Sequence, residues 1–127
     1  MSENASAARF DPAAIKAYHA HVYYDPAVSR ERASRLRERI GEHFPQARLG
    51  RWHDECVGPH PQAMYQVEFP SGMLAGFVPW LMLNRDGLTI LLHPETGNAH
   101  RDHTAHAVWF GAILQLRLDV FAESSPG

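Results

Sequence analysis

Histidine has the greatest potential for chemistry in this sequence, with nine copies among 127 residues against a single cysteine. Two of the nine, His19 and His21, alternate with apolar residues in the segment from Lys16 to Tyr24. Because alternate residues of a β-strand project to the same face, the two imidazoles would share one face of a sheet. Imidazoles paired in this way suit a divalent metal ion.

Two further candidates lie near the ends of other predicted strands, where His93 ends the run 88–93 and Glu68 lies near the end of 63–69. In the split βαβ topology that the order of elements predicts, both strand ends return to the start of the first strand, beside His19 and His21. Imidazoles with a carboxylate and open positions are the ligands typical of non-haem Fe(II), whereas zinc in the same ligands would be redox-inert. The predicted metal ligands are therefore His19, His21, His93 and Glu68.

Three other histidines are predicted to act on substrate or protons beside the metal. His60 lies between Pro59 and Pro61, which hold the backbone extended and suit presentation of an imidazole to a site. His103 and His106 are three residues apart at the start of the predicted last helix and would share a face. A histidine in any of these places can equally be an ordinary core, interface or surface residue.

The elements that must position these side chains alternate between strand-like and helix-like patterns. Period-two alternation predicts strands over 16–24, 48–52, 63–69 and 88–93. Helical spacing of apolar residues predicts one helix between Asp25-Pro26 and Pro45, and a second from Ser71 to Asn84. Asp102 would cap a last helix, whose apolar positions would be Ala105, Trp109, Ala112, Ile113 and Leu116.

The order β-α-β-β-α-β plus a C-terminal helix predicts an α+β protein of the ferredoxin-like, split βαβ class. Its antiparallel sheet would carry both helices on one face, the face of Val22, Val67, Ile90 and Leu92. The histidine face would then need a cover, and a homodimer is predicted to supply it. Residues 11–121 are predicted to form the single domain, with tails at 1–10 and 122–127.

Composition excludes several other classes of protein. The formal net charge is -2 without a block of one sign, which argues against a nucleic-acid or membrane partner. No run approaches the ~20 apolar residues of a membrane span, and the N-terminus lacks a signal-peptide pattern, so a cytoplasmic setting is expected. Cys56 is the only cysteine, which excludes an internal disulfide.

A set of short motifs runs in order along about residues 15–118. They are YHAHVY at 18–23, RWH at 51–53, VGPHP at 57–61, MYQV at 64–67, WLMLNRDGLT at 80–89, HPETG at 93–97, RDH at 101–103 and HAVWFG at 106–111. Taken together, these motifs resemble the DOPA 4,5-dioxygenase family, a small single-domain type of extradiol dioxygenase. The resemblance implies a ferredoxin-like α+β fold, Fe(II), and extradiol cleavage of a catechol such as DOPA by O₂.

Two alternative functions fit the same residues. A cofactor-free dimeric α+β barrel would oxidise or rearrange an aromatic substrate without a metal. A non-enzymatic module would bind a metal or a small ligand through the same histidines without consuming O₂. Metal analysis and O₂ consumption separate these alternatives from the iron enzyme.

Overall fold

In the computed structural model, residues 10–121 are described, and they form one antiparallel sheet with helices against it. The tails predicted at 1–10 and 122–127 lie outside the described residues, apart from Phe10. The elements are β1 (Ala17–Tyr24), α1 (Arg30–His43), β2 (Arg48–Leu49), β3 (Ala63–Pro70), α2 (Leu74–Asn84), β4 (Ile90–Pro94), α3 (Ala99–Asp102) and β5 (Val108–Phe110). Short 3-10 turns cover Pro12–Ala14, Ser71–Met73 and Leu118–Phe121.

The strands follow the order β2-β3-β1-β4-β5, and every neighbouring pair is antiparallel. β1 and β3 are central and β4 lies beside β1, so the predicted α+β class and split βαβ arrangement are confirmed. The register places His19 opposite Glu68 on β3 and opposite His93 on β4. The predicted meeting of these three strand ends is therefore confirmed.

Both long helices pack on the same face of the sheet. Ala33, Leu36 and Ile40 of α1 are buried there, together with Phe77 and Leu81 of α2. The strand residues beneath the helices are the predicted ones, Val22, Val67, Ile90 and Leu92. Period-two alternation then sends the intervening polar side chains of the strands to the opposite face.

The helix predicted from Asp102 onward is wrong in position and length. α3 ends at Asp102, and its N-cap is Asn98, whose side chain accepts a hydrogen bond from the Arg101 amide. The Asp102 carboxylate is buried and accepts instead from the amide and hydroxyl of Thr96. Asp102 therefore closes the loop between β4 and α3.

A fifth strand occupies part of the segment predicted as helix. β5 pairs with β4, and its alternation turns Phe110 toward the helix layer and Trp109 toward the opposite face. Gly111 follows with a φ of 85°, a conformation that L-residues rarely adopt and that stops a helix. Pairing with the exposed edge of β4 outweighs the helical spacing of the apolar residues.

At one end of the histidine face, the cover expected from a dimer partner is supplied by this chain. Tyr23, Met64 and Leu91 are buried there under residues of the β2–β3 loop and of the segment after α3. The covering residues are Val57, Ala107, Trp109, Leu114 and Leu116. The homodimer stays a prediction. Among residues 10–121, no helix has the length and apolar character needed to cross a membrane.

Candidate metal centre

Five imidazoles gather on the face of the sheet that the helices leave uncovered. His19 and His21 come from β1, His93 from β4, His60 from the β2–β3 loop and His103 from the residue after α3. The ring centroids of His21 and His60 lie 4.2 Å apart, and those of His93 and His103 lie 4.0 Å apart. Three of the rings, His21, His60 and His93, are less than 5% exposed.

Two overlapping triads within this cluster could each hold a metal ion. In each triad, one ligand atom per residue lies within 4.8 Å of the others. One triad is His19, His21 and His93, the three histidines predicted as ligands from the sequence. The other is His21, His60 and His103. Because His21 belongs to both, a single ion would use one triad and leave the remaining rings beside it.

The contact between His21 and His93 has the geometry of two ligands of one ion. Their Nε2 atoms lie 3.0 Å apart. The Nδ1 of His93 lies 2.9 Å from the Pro94 carbonyl oxygen, which can only accept, so Nδ1 carries the hydrogen and Nε2 is a bare lone pair. Two nitrogens at right angles around an ion, each at about 2.1 Å, lie about 3.0 Å from one another.

His21 has a buried nitrogen that the described residues leave without a hydrogen-bond partner, its Nδ1. If Nε2 of His21 carries the hydrogen and donates to His93, Nδ1 is an unused lone pair. If Nδ1 carries the hydrogen, two bare Nε2 atoms face each other and Nδ1–H is an unpaired donor. A metal ion would accept the unused Nδ1 lone pair in the first state or the two facing Nε2 lone pairs in the second, so the cluster fits an occupant that accepts nitrogen lone pairs.

His19 is held between two carboxylates. Its Nε2 lies 3.1 Å from Glu68 Oε1 and its Nδ1 lies 3.5 Å from Glu95 Oε2. A carboxylate on one ring nitrogen fixes the orientation of an imidazole and strengthens the other nitrogen as a ligand. The predicted closeness of Glu68 to the histidines is confirmed, and its contact is with the imidazole of His19.

Glu95 is a member of this network that the sequence did not reveal. Its Oε2 also lies 3.5 Å from Nδ1 of His93. Burial raises the pKa of Glu95, His19 opposes the increase, and Asp102 and Glu68 add to it. Glu95 lies one residue beyond the end of β4, where strand alternation no longer predicts direction. Its place in the HPETG motif was the available signal.

Burial lowers the pKa values of His21, His60 and His93. Loss of solvation, with the repulsion of His103, His93 and His53, lowers the pKa of His60 to about 3. Burial and His103 lower the pKa of His93 to about 4, although its hydrogen bond to Pro94 opposes this. The pKa of His21 is well below its usual value, first because of burial and then because of the surrounding imidazoles. At neutral pH these rings therefore offer lone pairs, as metal ligands must.

His60 reaches the cluster because its loop folds back over the sheet. Its Nδ1 lies 2.7 Å from the hydroxyl of Tyr23, which agrees with the predicted position of the loop near that residue. The Arg117 amide donates to the Pro59 carbonyl at 2.8 Å, and the His60 amide donates to the Val57 carbonyl at 3.0 Å. One hydrogen bond ties the loop to the C-terminal segment, and the other closes a turn within the loop. Sequence alternation placed Tyr23 on the histidine face but gave it no role.

His103 and His106 separate in the structure, because α3 ends before the two could share a helical face. The Nδ1 of His103 lies 2.7 Å from the Ala99 carbonyl, so its Nε2 is bare. His106 belongs to neither triad and lines an apolar cavity of about 640 Å³ at the end of β4, which His93 and Glu95 also line. Its catalytic role stays a prediction.

The fold and the site define an α+β protein with a buried imidazole cluster that could hold a metal ion. The model of the family described as Dopa 4,5-dioxygenase family matches residues 18–120. The chain belongs to this family, as the motifs of its sequence predicted.

Two individual relatives match most of this chain. The chain is 37% identical over 114 residues to an uncharacterised 21.2 kDa protein of Botryotinia fuckeliana, with 82% of this chain and 62% of the relative covered. It is 32% identical over 111 residues to a DOPA 4,5-dioxygenase of Amanita muscaria, with 82% and 49% covered. The chain thus spans about half to three-fifths of the length of these relatives.

A solved structure is also similar over nearly the whole chain. It is a crystal structure from Nostoc punctiforme, described provisionally as a dioxygenase. The identity is 50% and the TM-score is 0.87, with 91% of this chain and 98% of that chain covered. The fold class predicted from the sequence is therefore also that of a solved relative.

Proposed function

We propose that this chain is a non-haem Fe(II)-dependent extradiol dioxygenase, which cleaves a catechol such as DOPA with O₂. The observation that carries the proposal is the buried His21–His93 contact, two neutral imidazoles whose Nε2 atoms face each other at 3.0 Å. Membership of the Dopa 4,5-dioxygenase family supports the reaction class. The named relative in Amanita muscaria supports DOPA as the first substrate to test.

His19, His21 and His93 would hold the iron, since they form one of the two triads and two of them are oriented by groups on their far side. The Pro94 carbonyl orients His93, and Glu68 orients His19. Glu68 would act through His19, because its Oε1 contacts the His19 ring while its Oε2 lies 3.5 Å from Nη1 of Arg48. Direct ligation by Glu68 stays a prediction. When bound, Fe(II) supplies open positions at which a catechol and O₂ can both be activated.

The protein's own contribution is a site whose imidazoles are mostly buried. His60 and His103 lie against the rings of the proposed ligands His21 and His93, and each would place a ring nitrogen near the oxygens of a bound catechol. Trp109 and Leu116 cover the Tyr23 end of this face, and the ring of Phe121 lies 4.9 Å from that of His103. Hydrogen bonds to a developing negative charge are stronger in such surroundings than in water.

The proposal is tested by loading the protein with Fe(II) under anaerobic conditions and then adding DOPA and O₂. We expect stoichiometric O₂ uptake and a yellow ring-opened product, and neither from protein loaded with Zn(II), which is redox-inert. Turnover that persists in a chelator would favour the cofactor-free alternative. Iron binding without O₂ uptake across a panel of catechols would favour the non-enzymatic module, and either result would overturn the proposal.

A further inference from the structure

Tyr23 is a buried residue of β1 whose hydroxyl points at the histidine cluster. Its side chain is 1% exposed and packs among Met64, Leu91 and Trp109, with the Trp109 ring stacked at 6.0 Å. Its hydroxyl lies 2.7 Å from Nδ1 of His60, the one hydrogen-bond partner that it has among residues 10–121. The hydroxyl of Tyr23 is therefore hydrogen-bonded to His60.

The direction of this hydrogen bond follows from the apolar surroundings of Tyr23. If Nδ1 of His60 carried the hydrogen and donated, the hydroxyl hydrogen of Tyr23 would be buried without an acceptor, which is costly. If the hydroxyl donates, its hydrogen is satisfied and Nδ1 accepts. A neutral imidazole that accepts at Nδ1 carries its hydrogen at Nε2.

On this assignment the Nε2–H of His60 points away from Tyr23, because the two ring nitrogens lie on different sides of the imidazole. Nδ1 is occupied by Tyr23, and the His60 ring lies 4.2 Å from His21 and 6.0 Å from His103. A nitrogen that bears a hydrogen cannot ligate a metal, but it can donate a hydrogen bond to an anionic oxygen. The tautomer thus decides between the two roles open to His60.

We propose that Tyr23 is a positioning residue, which fixes His60 as the Nε2–H tautomer so that His60 donates a hydrogen bond to an anionic oxygen of the bound catechol. The substrate part of this proposal rests on the proposed function, whereas the tautomer part does not. His60 is then neither a metal ligand nor a base in the resting site. Tyr23 touches no substrate itself.

The tautomer is tested by long-range ¹H–¹⁵N correlation NMR of ¹⁵N-labelled protein, metal-free and loaded with diamagnetic Zn(II). The His60 signals are assigned by their loss in His60→Gln. We expect the Nε2–H pattern in both states and a mixed pattern in Tyr23→Phe. An Nδ1–H pattern in the wild-type protein overturns the proposal, whether or not any catechol is ever turned over.

Tyr24→Phe is the matched control for this experiment. Tyr24 is the next residue of the same strand and equally buried, but its hydroxyl donates to Asp54 and its ring packs under the helices. The variant removes a comparable hydroxyl without touching His60. We expect the wild-type His60 pattern, and a change as large as that in Tyr23→Phe would show that the effect is a general loss of structure.

The kinetics of the iron-loaded protein show whether His60 acts as a hydrogen-bond donor to the substrate or as a metal ligand. Tyr23→Phe is expected to lower kcat about 10- to 100-fold with little change in KM and none in iron content. His60→Gln keeps an N–H donor without basicity and should retain more activity than His60→Ala. Adding Tyr23→Phe to His60→Gln should cost little more. Loss of iron in Tyr23→Phe, or equal activities of the Gln and Ala variants, overturns the proposed role.

Discussion

His21 and His93 touch through their Nε2 atoms although they are not opposite each other in the sheet. The β1–β4 register pairs His21 with Leu91 and His19 with His93, so the 3.0 Å contact runs diagonally across the strands. Diagonal neighbours on one face are within reach of long side chains. The contact brings together two imidazoles that share a face with His19.

Replacing His93 should abolish stoichiometric iron binding. His93→Ala removes a ring whose bare Nε2 faces His21, whereas the control His43→Gln removes an exposed histidine at the end of α1, on the other face of the sheet. Iron content after anaerobic loading and desalting measures the outcome. If His93→Ala keeps its iron while His60→Ala and His103→Ala lose it, the ion uses the other triad.

Removing the carboxylate beside His19 should weaken metal binding without abolishing it. Glu68→Gln keeps the shape of the side chain but loses the charge that orients the His19 ring at 3.1 Å. Loss of such an orienting partner lowers metal affinity roughly 10- to 100-fold. Competition with a chromophoric chelator for Zn(II) measures the change. Glu31→Gln, an exposed residue of α1, is the control and should bind as the wild type does.

The metal-free protein should lose stability as the pH falls from about 6.5 toward 4. The folded-state pKa values of His60 and His93 are about 3 and about 4, below the value of about 6.5 for an unfolded chain. In this window the unfolded state binds more protons than the folded state, so acid favours unfolding. Each histidine that is protonated in the unfolded state but not in the folded state lowers the free energy of unfolding by up to about 1.4 kcal/mol per pH unit.

Urea unfolding at a series of pH values measures this slope. The slope should be smaller in His60→Gln, which removes one of the histidines with a lowered pKa, and His43→Gln is the control. Saturating Zn(II) should raise stability most at neutral pH, because protons compete for the same nitrogens. A free energy of unfolding that is constant between pH 7 and 4.5 would contradict the linkage.

The turn after β5 should not tolerate a side chain. Gly111 has a φ of 85°, and a Cβ there would lie 2.8 Å from Nη1 of Arg85 and 3.5 Å from Cα of Thr89. We expect Gly111→Ala to lower the free energy of unfolding by about 1–2 kcal/mol, the cost of left-handed backbone for an L-residue. Gly72→Ala is the control, since a Cβ at that residue would meet no atom within 4 Å. Equal stabilities of the two variants would contradict the prediction.

Strand alternation was sufficient to predict the centre of the site. The histidines of β1 and His93 were placed together because a period of two leaves no choice of face once the helix-packing residues are known. The topology then fixed which strand ends meet. Both predictions are confirmed by the register of His19 with Glu68 and His93.

The rest of the site depends on contacts between distant segments, which local patterns do not encode. The apolar residues from Ala105 to Leu116 fit helical spacing, yet within this segment residues 108–110 form β5 and pair with β4. The contact between Tyr23 and His60 forms because a loop that is distant from β1 along the chain folds back over the sheet. Glu95 lies just past a strand end, where no period applies.

The hydrogen bond from the Arg117 amide to the Pro59 carbonyl joins the loop that carries His60 to a segment that is synthesised late. The loop that carries His60 cannot be held in place until residue 117 has been made and has left the ribosome. The two long helices α1 and α2 and the strands β1, β3 and β4 can form earlier, because they are complete by residue 94. A nascent chain would therefore display its β1 histidines on an uncovered sheet face before the last segment arrives to enclose them.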